Sequence, residues 1–175
     1  IVMNNGTYGL TKGQASPTAP TGYQDNLEED LDPIMLGLSI PGSTFLARAY
    51  SGQPAQLLEL TLAALKHTAE GRGMSYLEVL SPCVTYNDTY RDWRTSVYDV
   101  DAEEGYDPTN RAAAFTRMQE LREDKRLPLG LIFKGERHAL ESVALNKDFP
   151  PPALQDIGRP DLSGICNDAL QSFIR

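Results

Sequence analysis

Two short apolar runs separated by a helix-length amphipathic stretch constrain this chain more than any other feature. Thr44-Phe45-Leu46-Ala47-Arg48-Ala49-Tyr50 has the length and composition of a strand, and Tyr76-Leu77-Glu78-Val79-Leu80 reads as a second. Between them Ser51 or Gln53 caps a helix with Pro54 in its first turn, and Gly71 and Gly73 end it. Leu58, Leu62 and Leu65 recur at helical spacing, with Leu57 and Thr61 widening the stripe, so this face is expected to be buried. Strand, helix and strand in that order favour a right-handed crossover between parallel neighbours. The expected fold class is α/β, a mostly parallel sheet flanked by helices.

The flanking sequence supplies further elements. Asp32-Pro33 starts a short helix running to about Ser39, where Pro41-Gly42 stops it. Asp107-Pro108-Thr109 is expected to open another, with Asp107 as cap, Pro108 at the first position, an end near Glu123, and Ala112, Phe115 and Met118 buried. Leu129-Gly130-Leu131-Ile132-Phe133 reads as a last buried strand, and residues 137–145 as a further helix. Residues 15–32 lack periodicity and read as irregular surface chain. Pro150-Pro151-Pro152 is a stiff connector dividing a domain at residues 1–149 from a C-terminal arm at residues 150–175, with a short helix over 167–174.

With 175 residues, 41% of them hydrophobic, the chain can bury one sizeable core. Its net charge of −8 is scattered, which argues against nucleic acid or an anionic membrane as partner. The aromatic stretch around Tyr86, Tyr90, Trp93 and Tyr98 sets Arg91 and Arg94 beside Asp88 and Asp92, so packing between segments or subunits is expected there. No apolar run reaches bilayer length and no basic-then-apolar leader opens the chain, so a cytoplasmic location is expected. Cys83 and Cys166 do not form a disulfide framework, and Cys166 reads as a quiet thiol. His67 and His138 have no ligand at metal spacing and read as surface or helix-end residues.

The chemistry concentrates at two places. Ile1-Val2-Met3 reads as the end of a buried strand, running into Asn4-Asn5-Gly6-Thr7-Tyr8-Gly9-Leu10-Thr11-Lys12-Gly13-Gln14. Glycines allow backbone to approach a ligand closely, and open α/β sheets bind ligands at the carboxyl ends of their strands. The Asn5 side-chain oxygen and a nearby backbone carbonyl are hard ligands suited to Mg²⁺, and Lys12 with the loop N–H groups suits phosphate. The same residues also make an ordinary turn with an exposed lysine. Ser81-Pro82-Cys83 lies just past a strand end, where the thiol is a nucleophile, a metal ligand or a quiet buried group.

The run from Met3 to Thr18 resembles the thiamine-diphosphate loop of the β subunit of 2-oxoacid:ferredoxin oxidoreductases, most closely their 2-oxoglutarate branch. Leu80-Ser81-Pro82-Cys83 and Tyr106-Asp107-Pro108-Thr109-Asn110-Arg111-Ala112-Ala113-Ala114-Phe115 are similar to the same family, and the resemblance extends from residue 1 to about residue 145. It implies a thiamine-diphosphate-binding fold. Mg²⁺ is then held by the Asn5 side-chain oxygen and the Thr7 carbonyl. Gly6, Tyr8, Gly9, Leu10 and Thr11 line the cofactor, and Lys12 lies near its reacting end as a cation for an oxoacid carboxylate or developing negative charge. Cys83 becomes one of four thiolates on a [4Fe–4S] cluster. The family's Gly-Asp-Gly motif and its three other cluster cysteines are absent from this sequence. The chain is therefore expected to be the C-terminal portion of a longer subunit, with leading strands missing and no activity alone.

The activity implied is oxidative decarboxylation of a 2-oxoacid to an acyl-coenzyme A, with electrons passed to ferredoxin. 2-Oxoglutarate is the first expected substrate, pyruvate or a broad range of 2-oxoacids the second. The implied partners are the N-terminal portion of the same subunit, an α (or fused γ-α) subunit and ferredoxin. A non-catalytic subunit-docking module is the reading from a different class.

Overall fold

A strand buried on both faces organises the molecule. In a computed structural model, which describes residues 1–138, β4 (Ser43–Tyr50) is buried along its whole length. It pairs in parallel with β5 (Met74–Leu80), and the intervening chain forms α2 (Pro54–Ala69), as the sequence pattern predicts. The sheet runs β1-β5-β4-β7-β6, where β1 is Val2–Asn4, β6 is Val97–Asp99 and β7 is Leu127–Lys134. Every neighbouring pair is parallel except β4 with β7. A separate antiparallel ribbon joins β2 (Thr7–Tyr8) to β3 (Gln14–Ala15). Three further α-helices, α1 (Pro33–Ser39), α3 (Tyr90–Ser96) and α4 (Arg111–Glu123), and two short 3-10 turns at Tyr23–Asp25 and Val100–Ala102 complete the described chain.

Alternation along β4 feeds two cores. Phe45, Ala47 and Ala49 meet Leu60 and Ala64 of α2 together with Leu77 and Val79. Leu46 joins Ile34 and Leu38 of α1 and Ala114, Met118 and Leu121 of α4. Each large apolar side chain removed from water contributes about 1.5–3 kcal/mol. Gly37 lets α1 lie directly on the sheet, since a Cβ there would come within 2.7 Å of a Leu46 methyl. Asp32 starts α1 as expected, its carboxylate accepting from the N–H groups of Ile34 and Met35.

Several expectations need correcting. The α2 stripe is turned away from the sheet: Leu58, Leu62 and Leu65 are 59%, 57% and 58% exposed, whereas Leu60, Ala64 and His67 are buried. Leucines occupy several faces of this helix, so periodicity alone does not choose between them. Packing selects the face carrying small Ala64, which admits Phe45 and Leu77. α4 begins at Arg111 and is capped by Asn110, whose side chain accepts from Ala113 N–H. Asp107 instead closes a turn on Thr109, Ala112 is exposed, and Leu121 joins Ala114 and Met118 in the core. β1 is a strand but not a buried one: among the described residues β5 alone pairs with it, and Met3 is 74% exposed. His67 does lie at a helix end, yet it is buried. The helix expected over 137–145, the domain boundary at 149/150, the arm with its 167–174 helix and Cys166 lie outside the described residues, apart from Arg137 and His138, which are in no regular element. Among the described residues, no helix is long and apolar enough to cross a membrane.

Candidate functional site

The candidate site grows from the carboxyl end of β1. Ladder pairing continues one step past the strand, with Ser81 N–H donating to the Asn4 carbonyl at 2.8 Å. The chain then turns sharply. Gly6 takes a left-handed φ of 70°, and its N–H donates to the Asn4 side-chain oxygen at 3.0 Å. Thr7 N–H donates to the Asn5 side-chain oxygen, also at 3.0 Å. Two successive asparagine side chains thus cap the backbone that follows each of them.

Beyond Thr7 the β2–β3 ribbon projects a tip. Gly13 N–H reaches the Tyr8 carbonyl, Lys12 N–H the Gly9 carbonyl, and the Thr11 hydroxyl the Tyr8 carbonyl. Lys12 is held at φ 65°, in the left-handed region uncommon for a residue with a side chain. Leu10 is 97% exposed, and Tyr8, Gly9, Thr11 and Lys12 are exposed beside it.

The segment expected to be plain surface chain in fact fastens this loop. The Thr18 hydroxyl donates to the Asn4 side-chain oxygen at 2.7 Å, and Ala19 is fully buried. The Tyr23 hydroxyl lies 3.1 Å from the Thr7 hydroxyl and 3.0 Å from the Tyr86 carbonyl. Beneath lies a run of buried charge. Asn4 Nδ2 donates to Glu78 at 2.7 Å, Arg48 Nε donates to the other Glu78 oxygen at 2.7 Å, and Arg48 Nη2 donates to Asp32 at 2.7 Å. The Arg48 and Glu78 side chains are only 5% and 1% exposed. Burial pulls the Arg48 pKa down, but the two carboxylates and their hydrogen bonds outweigh it and hold the guanidinium above its usual value. Burial, with the Glu78 charge behind it, pushes the Tyr76 phenol up to about 12.

Cys83 sits in a tight turn closed by two backbone bonds between Cys83 and Asn87, at 3.1 and 2.8 Å. Backbone hydrogen bonding from Tyr86 and Thr85 draws the Cys83 thiol pKa below the ordinary value. This turn touches the loop directly: Asn87 Nδ2 donates to the Asn5 carbonyl at 2.8 Å. Gly13 packs on the Tyr86 ring so closely that a Cβ would sit 3.4 Å from it.

Comparison with known proteins places this geometry. The family model for the C-terminal region of the pyruvate ferredoxin oxidoreductase beta subunit matches residues 83–146. Subunits beta of 2-oxoacid:ferredoxin oxidoreductases 1 and 2 from Aeropyrum pernix are 36% and 33% identical over 94% and 93% of this chain. The chain spans 57% and 58% of their lengths, a little over half. A solved 2-oxoglutarate:ferredoxin oxidoreductase from Magnetococcus marinus, with 2-oxoglutarate, coenzyme A and succinyl-CoA bound, matches 95% of this chain and 56% of its own at 28% identity, with a TM-score of 0.65. The chain is thus similar to the C-terminal part of these β subunits.

Two observations bear on the groups that the resemblance implies. Asn5 spends one lone pair of its side-chain oxygen on Thr7 N–H and keeps the second, so the oxygen-donor set suits Mg²⁺. Cys83, in a tight turn whose backbone lowers the thiol pKa, suits a thiolate ligand of an iron–sulfur cluster. Among the described residues, no three His, Cys, Asp or Glu side chains gather as a metal site, so neither group would be fully held by them. The residues missed at the sequence level are Asn4, Thr18, Tyr23, Arg48, Glu78 and Asn87. The signal for two of them was present, since Arg48 and Glu78 are opposite charges inside runs that otherwise read as buried strand.

Proposed function

We propose that this chain supplies the cofactor loop and one cluster cysteine of a thiamine-diphosphate-dependent 2-oxoacid:ferredoxin oxidoreductase. The enzyme oxidatively decarboxylates 2-oxoglutarate to an acyl-coenzyme A and reduces ferredoxin. Bound thiamine diphosphate supplies the carbanion chemistry that cleaves the bond to the departing carboxylate. The chain's own residues bind and orient. The Asn5 side-chain oxygen and Thr7 carbonyl coordinate Mg²⁺, and the backbone of Gly6, Tyr8 and Gly9 faces the diphosphate. Leu10 and Thr11 shape the reacting end, and the Lys12 ammonium holds a substrate carboxylate or offsets developing negative charge. Cys83 ligates one iron of a [4Fe–4S] cluster, with the other thiolates contributed by the remainder of the subunit. An α (or fused γ-α) subunit and ferredoxin are the proposed partners.

The observation that carries this reading is the bond from Asn87 to the Asn5 carbonyl, which fastens the cofactor loop to the Cys83 turn. The loop and the Cys83 turn follow the carboxyl ends of the paired strands β1 and β5, which supports a cofactor and an electron acceptor held close together. 2-Oxoglutarate is favoured over pyruvate because an exposed cation at position 12 suits a substrate with a second carboxylate. Native mass spectrometry of the assembled enzyme with metal analysis tests the reading. Thiamine diphosphate, magnesium and about four iron atoms per β subunit are expected, as one [4Fe–4S] cluster requires. Viologen reduction should be faster with 2-oxoglutarate than with pyruvate. An assembly that forms without thiamine diphosphate or iron would instead identify a docking module.

A further inference from the structure

The buried charges beneath the loop have no role in the chemistry above, yet they determine which way Asn4 faces. A carboxylate only accepts hydrogen bonds, so Glu78 forces the Asn4 NH₂ group toward itself, at 2.7 Å. The Asn4 oxygen must then face Gly6 N–H at 3.0 Å and the Thr18 hydroxyl at 2.7 Å. Were the amide reversed, its NH₂ would meet the Gly6 N–H donor, and the turn into Asn5 would lose its cap. Glu78 is itself held by Arg48, and Arg48 by Asp32, which also caps α1. Of these three side chains, Glu78 alone reaches the Asn4 carboxamide.

The geometry points to Glu78 as the positioning residue of the cofactor loop: it fixes the Asn4 amide, which sets the Gly6 turn and so the place of the Asn5 oxygen. This inference rests on the function proposed above for Asn5. Asp32 is the internal contrast. It shares Arg48 with Glu78 but makes no contact with Asn4, so it belongs to the fold and not to the orientation of the amide.

A reciprocal exchange tests this in the intact native assembly. Glu78→Gln keeps the shape but lets the side chain present either a donor or an acceptor. It is expected to weaken binding of magnesium thiamine diphosphate about tenfold or more, on the scale of one lost hydrogen bond to a charged group. Asn4→Asp alone faces a second carboxylate and should be equally impaired. In the double variant Asn4→Asp/Glu78→Gln, the glutamine oxygen accepts from Arg48 and its NH₂ donates to Asp at position 4, whose carboxylate accepts from Gly6 and Thr18. That variant should recover affinity to within about threefold, because every donor again meets an acceptor. Asp32→Asn should lower stability while leaving affinity unchanged. Hydrogen exchange over residues 4–18 is a readout independent of cofactor, with exchange expected to quicken in Glu78→Gln and return to normal in the double variant. Unchanged exchange in Glu78→Gln, or affinity falling in Asp32→Asn as far as in Glu78→Gln, would overturn the inference. A wild-type assembly that binds no thiamine diphosphate would overturn the proposed function, and the exchange data would still decide the role of Glu78.

Discussion

The base and the tip of the N-terminal loop are built on opposite terms. At the base, Asn4, Gly6 and Thr7 have polar partners at 2.7–3.1 Å and rest on an ion pair whose side chains are 5% and 1% exposed. At the tip, Leu10 is 97% exposed, and Lys12 is held only by the backbone of its own turn. Folding determines the base, because each buried polar group there needs its partner. The tip is exposed among the described residues. Substitutions at the base should therefore register in stability or in cofactor affinity, and substitutions at the tip in turnover with stability unchanged.

The most severe test of that division is Arg48→Met, which strands the Glu78 carboxylate in the interior. Removing one partner of a buried pair typically costs about 3–5 kcal/mol, and urea unfolding should show a loss of that order. A loss under about 1 kcal/mol would mean that water reaches the pair and the base is not dry. Lys12→Ala should do the reverse. Turnover should fall roughly 10²-fold, on the scale of other groups that stabilise reacting charge, while stability moves by no more than about 0.5 kcal/mol. Turnover equal to wild type would remove Lys12 from the site. Gly6→Ala lies between the two, since it forces a side chain into φ 70° and brings a Cβ within 3.1 Å of Asn87 Nδ2. A stability loss of about 1–2 kcal/mol is expected, measurable by thermal unfolding.

The smallest effect concerns His67, far from the loop. Its Nε2 lies 3.1 Å from the Thr44 hydroxyl, whose own proton goes to the Met74 carbonyl, so Nε2 carries the imidazole proton. Among the described residues, Nδ1 is buried without a partner. Burial, then the charges of Lys134 and Arg72, lower its pKa below 6.5. The unfolded chain thus binds this proton more readily than the folded one, and stability should fall as pH drops from about 6.5 toward the depressed folded value. His67→Gln should flatten that part of the pH profile, and a profile identical to wild type would show that His67 does not contribute.

Much of the scaffold is legible in the sequence, because its strands are continuous apolar runs and its helices carry caps and breakers at their ends. The β4–α2–β5 crossover follows from residues 44–80 alone. The buried face of α2 does not, since leucines at 57, 58, 60, 62 and 65 satisfy more than one helical stripe and only packing against Phe45 and Leu77 decides. The start of α4 is missed because Asp107-Pro108 and Asn110 are both credible caps, and the turn at Thr109 consumes the first. Asn5, Gly6 and Cys83 stand out by residue type and by family resemblance. Thr18, Tyr23 and Asn87 do not, for their hydrogen bonds join residues 14, 16 and 82 positions apart and leave no local pattern. Arg48 and Glu78 stand 30 positions apart, yet each is conspicuous as a charge within an apolar strand.

In the function proposed above, the loop built on β1 holds magnesium thiamine diphosphate through Asn5. Calorimetric titration of the intact assembly with magnesium thiamine diphosphate, wild type against Asn5→Ala, tests it most directly. One site per chain is expected in the wild type and a loss of affinity of about tenfold or more in the variant, with urea unfolding shifted by no more than the loss of one hydrogen bond, about 1 kcal/mol. An Asn5→Ala assembly that binds the cofactor as tightly as wild type would contradict it.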